Sequence, residues 1–279
     1  MVKINYLGRL GNKLFQFVLG RMIAEARGYR LIAHPIPGFP GTYEEIKGEC
    51  HDTGPQNVLT GHRIDLPAIL QARDPGAVIL DGFFQRCEYY IPERDKIRHW
   101  LRMEDGTALS MEMPDLLIHV RRADYVQHGW ALPFSFYRSA IEEYLPSGGK
   151  LVIATDDPLD PFFWSFRCWK PKFFRGSIPE LMQLMKEAPC LLMSQSTFSW
   201  WPAFLGKENR LVLCPNPAFG IWSGLDEVAL ASPVLFKCLS CREEYRPNAT
   251  EALYQKARLL GVRITNRISK ARGLPARKF

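Results

Sequence analysis

The chain has 279 residues, of which 47% are hydrophobic and 23% charged, and its 36 basic and 29 acidic residues give a formal net charge of +7. This length and composition exclude a disulfide-stapled miniprotein and an extended disordered chain, and they allow one large or two modest domains. Residues 256–279 hold eight basic residues and no acidic one, which leaves 28 basic and 29 acidic residues in the rest of the chain. Nucleic-acid binding needs a basic face, so we expect no nucleic-acid partner.

The chain shows no pattern of a secreted or membrane-spanning protein. Its seven cysteines are odd in number and mostly far apart, unlike a disulfide framework. Lys3, Arg9 and Lys13 interrupt the N-terminus before a signal-peptide core can form. The uncharged run at residues 190–206 is too short and too polar for a membrane span. We expect a cytoplasmic protein. Any peripheral contact with the inner membrane would be made through its basic end.

The order of the elements predicts two α/β units. A strand at 2–7, a helix at 12–27 and strand character at 30–33 make a βαβ opening. Residues 35–75 are rich in Pro, Gly and polar residues, which predicts loops and short elements. A second, mostly parallel sheet begins at residue 116 and is joined to the first unit near 106–114. Its strands are expected at 116–119, 150–154, 190–193 and 210–213, with helices at 134–144, after Pro158, at 179–187 and after Ser196.

Two motifs place charged groups where a strand turns into a helix, which is where parallel sheets bind ligands. GRLGNKLFQF, residues 8–17, has two glycines three apart that permit close approach of a ligand, and it places Arg9 and Asn12 at a helix start. HVRRADY, residues 119–125, has adjacent arginines, one able to reach a cleft and the other to pair with a carboxylate such as Asp124. The alternatives are a plain tight turn and a solvated Arg–Asp pair.

A third motif, ATDDP at 154–158, joins a strand to two carboxylates. Asp156 or Asp157 can cap the helix expected after Pro158. Neighbouring aspartates also suit a metal ion, but no third carboxylate or histidine lies within several residues, and the single Cys238-x-x-Cys241 lacks a second ligand pair. We predict no metal ligand.

The fourth motif, SQSTFSWWPAFLG at 194–206, again joins a strand to a helix. Ser196, Thr197 and Ser199 place hydroxyls beside free backbone N–H groups, a site for an anion such as a pyrophosphate, although they can be simple caps. The aromatic residues after them are expected to face the core. Glu180 begins the preceding helix, where the helix dipole alone favours a carboxylate.

The C-terminal segment predicts an amphipathic helix capped by Asn248. Its apolar face suits packing on the body or contact with an anionic membrane, and we expect docking for its first half and membrane or solvent exposure for the last dozen residues. The residues at helical spacing on this face are Leu253, Ala257, Leu260, Ile264 and Ile268.

The order and separation of GRLGNKLFQF, HVRRADY and SQSTFSWW resemble the α-1,2-fucosyltransferase family of glycosyltransferases. HVRR and ATDDP also resemble elements of the α-1,6- and protein O-fucosyltransferases. The resemblance covers residues 1–215 through short blocks. The chain departs from the family pattern at Ala123, where Gly is usual, and at Lys13, where Gln is usual.

The resemblance implies an α/β, GT-B-like fold of two Rossmann-like domains facing across a cleft. Residues 1–113 would form the acceptor side, 114–247 the GDP-fucose-binding domain, and 248–279 a basic helix and tail. The implied reaction is inverting, metal-independent transfer of L-fucose from GDP-fucose, without a cofactor, to a sugar hydroxyl. The α-1,2 linkage to a galactoside of a bacterial surface glycan, such as O-antigen lipopolysaccharide, is favoured, with an oligosaccharide or lipid-linked acceptor. The alternatives are an α-1,6-fucosyltransferase and a non-catalytic nucleotide-sugar or glycan-binding protein.

The resemblance also implies residue roles. Arg121 would hold the β-phosphate and stabilise the departing GDP, with Arg122 paired to Asp124 or assisting. His119 and Glu180 would lie near the guanine. The hydroxyls of the fourth motif would bind phosphate or ribose, and Arg9 and Asn12 would close over the donor. The predicted catalytic residues are thus Arg121 and Asp124, and the donor-binding residues are Arg9, Asn12, His119, Arg122, Asp156, Glu180, Ser196, Thr197 and Ser199.

The general base stays open. Asp124 is the nearest carboxylate in the motif, but an aspartate paired with arginine is a poor base. We therefore favour Asp124 as a positioning group. His119 and Asp156 remain alternatives, as does a dissociative transfer that needs little base assistance.

Overall fold

Two parallel β-sheets organise the chain in this computed structural model. It describes residues 1–50, 55–72, 76–103, 109, 111–216, 230–232, 234–241 and 243–271, and the side chains up to residue 262. Every strand pair in both sheets is parallel, as the alternation of strands and helices predicts.

The N-terminal sheet has four strands in the order β2-β1-β4-β3. Its main helix, α1, buries an almost continuous run of side chains and ends at Gly28, whose φ of 64° is the left-handed conformation that terminates helices. The elements are β1 (Val2–Ile4), α1 (Leu10–Arg27), β2 (Leu31–Ile32), β3 (Gln56–Gly61), α2 (Leu66–Gln71), β4 (Ala77–Gly82) and α3 (Arg94–Trp100).

The C-terminal sheet has six strands in the order β10-β9-β8-β5-β6-β7, which is the Rossmann order when its strands are counted from β5. Its central strands are buried on both faces because helices cover the sheet on both sides. The strands are β5 (Leu116–Val120), β6 (Leu151–Thr155), β7 (Lys172–Phe173), β8 (Cys190–Leu192), β9 (Leu211–Pro215) and β10 (Lys237–Leu239). The helices are α4 (Ala123–Gln127), α5 (Phe134–Tyr144), α6 (Ile178–Glu187), α7 (Thr197–Leu205) and α8 (Ala249–Ala271).

Each sheet has a point where the chain changes direction across it. The chain leaves β5 towards β6 on one side and later returns as β8 on the other side, and β1 and β4 are related in the same way. Such switch points open a crevice at the carboxyl ends of the strands, where ligands bind. These features confirm the α/β, GT-B-like fold of two Rossmann-like units. The boundary near 106–114 lies partly outside the described residues, and the domain limits stay predictions.

The two units pack through the first turns of α1 and α7. A Cβ on Gly11 would lie 2.5 Å from the carbonyl carbon of Thr197, so the two helices approach more closely than any side chain permits. The Trp201 indole N–H donates to the Gly11 carbonyl at 2.8 Å, and the ring of Phe15 lies 4.9 Å from that of Trp200. Both tryptophans are fully buried, which confirms their predicted core position. One core therefore joins the two units.

One predicted region agrees with the structure and one predicted helix differs from it. Residues 35–75 contain loops and the short elements β3 and α2, as predicted, and β4 follows them. The helix expected after Pro158 is a 3₁₀ helix, Pro161–Trp169. Its cap is Asp160, whose carboxylate accepts the Phe162 N–H at 3.0 Å, so the predicted cap at Asp156 or Asp157 is wrong. Asp160 takes this position because it directly precedes the Pro161 that opens the helix.

The helix α8 docks in the opposite orientation to the one expected. Asn248 accepts the Glu251 N–H at 2.9 Å, which confirms the predicted cap. The residues buried against the body are Glu251 and Gln255, whereas Leu253 is 70% and Leu260 59% exposed. Docking through Leu253 and Leu260 is therefore wrong, because the surface beneath α8 carries carboxylates that hydrogen-bond its polar face. The side chains of Ile264 and Ile268, and the exposure expected for the last dozen residues, lie outside the described part of the chain.

The contact at Gly11 predicts a large effect of a single methyl group. We expect Gly11→Ala to lower the free energy of unfolding by about 1–3 kcal/mol, because backbone atoms of α7 must shift. Gly261→Ala is the control, since a Cβ there meets nothing within 4 Å and a helical glycine replaced by alanine gains about 0.5–1 kcal/mol. Urea unfolding of both variants measures the difference, and equal stabilities would contradict the contact.

Candidate active site

A cluster of charged groups lies at the switch point of the C-terminal sheet. Arg121 directly follows β5, and α7 begins after β8 with Ser196 as its cap. The free N–H groups in the first turn of a helix attract anions, and a guanidinium beside them adds a full positive charge. The position and the chemistry suit a ligand that carries phosphate groups.

Two carboxylates fix the guanidinium of Arg121. It donates through Nη2 to Oδ1 of Asp124 at 2.6 Å, and its Nη1 lies 2.8 Å from Oδ2 of Asp156. Its central carbon lies 4.9 Å from the centroid of the Tyr125 ring. Asp156 also accepts the backbone N–H of Arg122 at 2.8 Å, which ties the end of β6 to the end of β5. The orientation of Arg121 is thus determined from three sides.

Arg9 reaches the same cluster from the N-terminal unit. Its Nη2 lies 3.6 Å from Oδ2 of Asp124, so this carboxylate lies between two guanidiniums from different units. The Arg9 side chain is 55% exposed, and an exposed pair at this distance contributes little to stability. A more strongly charged anion in the cleft can therefore recruit Arg9.

Asn12 joins the switch points of the two sheets. Its Oδ1 accepts the Thr197 hydroxyl at 2.9 Å and the Gln85 Nε2 amide at 3.0 Å. Gln85 follows β4, 73 residues away from Asn12, and it belongs to no motif that sequence reasoning singled out. Gln85 could have been found from its position after β4, because β4 lies next to β1 in the sheet. The sequence alone does not give this strand order.

Arg122 faces the interior instead of the cleft. It donates to Oδ2 of Asp160 at 2.9 Å and to the Tyr245 hydroxyl at 2.7 Å, and it is fully buried. The predicted pairing of Arg122 with Asp124 is wrong, because successive side chains of an extended chain point in opposite directions and Asp124 lies on the side of Arg121. Its contact with a donor stays a prediction, while the structure gives it a supporting position.

His119 belongs to a buried chain of hydrogen bonds. Its Nδ1 lies 2.8 Å from the Ser194 hydroxyl, and Ser199 donates to the Ser194 carbonyl at 3.2 Å. Burial, with the nearby charge of Arg121, lowers the pKa of His119 to about 3. The imidazole is therefore neutral at physiological pH. Ser199 is turned inward in this chain, and contact of either residue with a donor stays a prediction.

Ser196 and Glu180 have the capping roles that the sequence left open as alternatives. Ser196 accepts the Phe198 N–H at 3.3 Å at the start of α7. Glu180 and Ser177 form a capping box at the start of α6, in which each side chain accepts the other's backbone N–H. Their contacts with phosphate and guanine stay predictions. The structure brings together Arg9, Asn12, Arg121, Asp124, Asp156 and Thr197 at the cleft.

Two further findings concern metal binding and membrane-spanning helices in the described part of the chain. No group of three or more His, Cys, Asp or Glu residues in it is arranged to hold a metal ion. None of its helices combines the length and the apolar character needed to cross a bilayer.

Comparison with known proteins finds a similarity to a named sugar transferase. No protein-family model matches the chain. The chain is similar to a protein of Escherichia coli named alpha-1,2-colitosyltransferase, with 26% identity over 167 residues, which cover 52% of this chain and 57% of that protein. The chain therefore aligns with little more than half of its relative. By its name that relative is a glycosyltransferase, an enzyme that transfers a sugar from a donor to an acceptor.

The burial of His119 predicts a specific pH dependence of stability. The pKa of His119 is about 3 in the folded chain and 6.5 in its ordinary state. Below pH 6.5 the unfolded chain therefore binds a proton at this histidine that the folded chain does not. The free energy of unfolding then falls by about 1.4 kcal/mol for each unit by which the pH is lowered. His119→Asn removes this loss. From pH 7 to pH 5, we expect the free energy of unfolding of the wild type to fall by about 2 kcal/mol relative to that of the variant. Unfolding measured in urea at both pH values tests this, and a constant difference would contradict the burial.

Proposed function

We propose that this chain is an inverting glycosyltransferase that moves L-fucose from GDP-fucose to a sugar hydroxyl, forming an α-1,2 linkage to a galactoside of a bacterial surface glycan. The proposal rests above all on one observation. The fixed guanidinium of Arg121 follows β5, which pairs with the strand that leads into α7, and it contacts the same carboxylate as Arg9.

The chemistry of transfer explains why this arrangement supports the proposal. Breaking the bond between the sugar C1 and the diphosphate oxygen leaves negative charge on the GDP and positive character on the sugar. Guanidiniums and helix N–H groups that are already oriented stabilise such charge without reorganising. Arg121 would contact the diphosphate, α7 would add its N–H groups, and Arg9 would close from the other unit. We propose that these groups suffice without a divalent cation.

Asp124 acts as a positioning group in this scheme. Its two oxygens face the guanidiniums of Arg121 and Arg9 at 2.6 and 3.6 Å, so it sets the spacing of the two charges that receive the diphosphate. His119 is a poor base because its pKa is lowered to about 3. We therefore propose a transfer in which departure of the diphosphate runs ahead of deprotonation of the acceptor.

The named relative favours a second donor. Colitose differs from fucose in lacking the hydroxyl at C3, and the similar protein bears the name of a colitosyltransferase. A site that hydrogen-bonds this hydroxyl rejects the sugar without it by about 10⁴-fold, whereas a site without such a bond accepts both. Rates measured with GDP-fucose and GDP-colitose therefore separate the two donors.

Removal of the central guanidinium tests the proposed site. We expect Arg121→Ala to lower the transfer rate at least about 10²-fold, because one donor to the developing charge is lost. Product formation from GDP-fucose and a panel of β-galactosides is measured in EDTA, and the linkage of the product is determined. Arg138→Ala is the control, since Arg138 is 59% exposed and, within the described part of the chain, pairs with Glu142 one helical turn away.

The outcomes of that assay separate the alternatives. Near-normal transfer by Arg121→Ala would place the diphosphate elsewhere. A requirement for added Mg²⁺ would remove the metal-independent scheme. Binding of GDP-fucose without transfer or hydrolysis across the panel would favour a non-catalytic binding protein, and a 1,6 linkage would favour the α-1,6 alternative.

Asp124 has its own prediction. We expect Asp124→Asn to reduce the transfer rate by about tenfold to a hundredfold through misplacement of Arg121 and Arg9, with the shape of the pH–rate profile unchanged. If Asp124 were the general base, the variant would instead lose the part of the pH–rate profile that reports ionisation of this carboxylate. An unchanged rate would remove Asp124 from both roles.

A further inference from the structure

We infer that α8 binds the surface of an anionic membrane through its outer face, defined here as Leu253, Ala257 and Leu260. The inference depends on the geometry of this helix and on charge, and it does not depend on the identity of the donor sugar.

Polar contacts fix the rotation of α8 on the body. Gln255 donates to Oδ2 of Asp160 at 2.7 Å, and Tyr254 donates to Oδ1 of Asp157 at 2.8 Å. Arg258 lies 3.3 Å from the same aspartate. These contacts all lie on one side of the helix, so the opposite side points away from the body.

The outer face carries three apolar residues of the helix, whereas Leu259 and Val262 are half-buried. Residues advance by 100° along an α-helix, which places Leu253, Ala257 and Leu260 opposite the contacts of Gln255 and Arg258. Leu253 is 70% and Leu260 59% exposed, and Ala257 is exposed as well. An amphipathic helix normally turns its apolar face to the core. The reverse orientation leaves this face for a partner outside the body.

Charge selects the partner. Residues 256–279 carry eight basic and no acidic residues, and Lys256 is exposed between the two leucines of the outer face. A second copy of the chain on this face would bring two such segments together and would be repelled. Anionic phospholipid supplies both negative charge and an apolar layer about 5–10 Å deep, which suits leucines beside basic residues.

Vesicle binding tests the inference on the full chain. We expect cosedimentation with vesicles of phosphatidylcholine and phosphatidylglycerol, weaker binding to phosphatidylcholine alone, and weakening at high salt. Leu253→Gln combined with Leu260→Gln keeps good helix formers and should lower the partition coefficient by at least about tenfold. Lys256→Glu should lower it by at least about fivefold.

Matched variants elsewhere control for general effects. Val58→Gln combined with Val234→Gln changes two side chains that are 50% and 83% exposed, and Lys47→Glu reverses an exposed charge in the N-terminal unit. Both controls should bind as the wild type does. Equal binding by the leucine variant and its control, or no binding to anionic vesicles, would overturn the inference. A dimer in solution that the leucine variant dissociates would assign the face to a second copy instead.

Discussion

The close approach of α1 and α7 at Gly11 is the constraint on which the cleft depends. No side chain fits between the backbone of α1 and that of Thr197, and the Trp201 indole closes the contact by donating to the Gly11 carbonyl. Arg9 and Asn12 flank Gly11 in sequence, so the same contact sets their distance from the switch point of the other sheet. The backbone contact at Gly11 therefore fixes how near these two side chains lie to the C-terminal unit.

The two adjacent arginines have different positions and different roles. Arg121 faces the cleft, where carboxylates orient it, and Arg122 is buried against Asp160 and Tyr245. A buried ion pair adds little net stability, but breaking it is costly, so it serves best to hold one local conformation. Here that conformation is the turn after β5. An arginine with two nitrogens already oriented by carboxylates loses little entropy when an anion arrives.

The sequence revealed those parts of the fold that are encoded locally. The strands β5, β6 and β8 are continuous apolar runs because they are buried on both faces, and the motifs at their ends mark the site. By contrast, β3 reads QNVLTG, is largely exposed, and is defined only by its register with β4. The partners of Arg122 and Asn12 lie far away in the chain, and no periodicity reports them. Periodicity also found the apolar face of α8, but not what lies beneath the helix.

The orientation of α8 connects the outer surface with the turn that carries Arg121. Gln255 on its inner side shares Asp160 with Arg122, and Tyr245 contacts both Arg122 and Glu251. Since Asp157 and Asp160 follow the carboxyl end of β6, α8 docks at the same edge of the sheet as the cleft. A membrane on the outer face of α8 would thus lie near the edge of the sheet at which Arg121 is held. The two faces of α8 thus have separate roles: the polar inner face supports the turn that carries Arg121, and the apolar outer face is the one that we propose to bind a membrane.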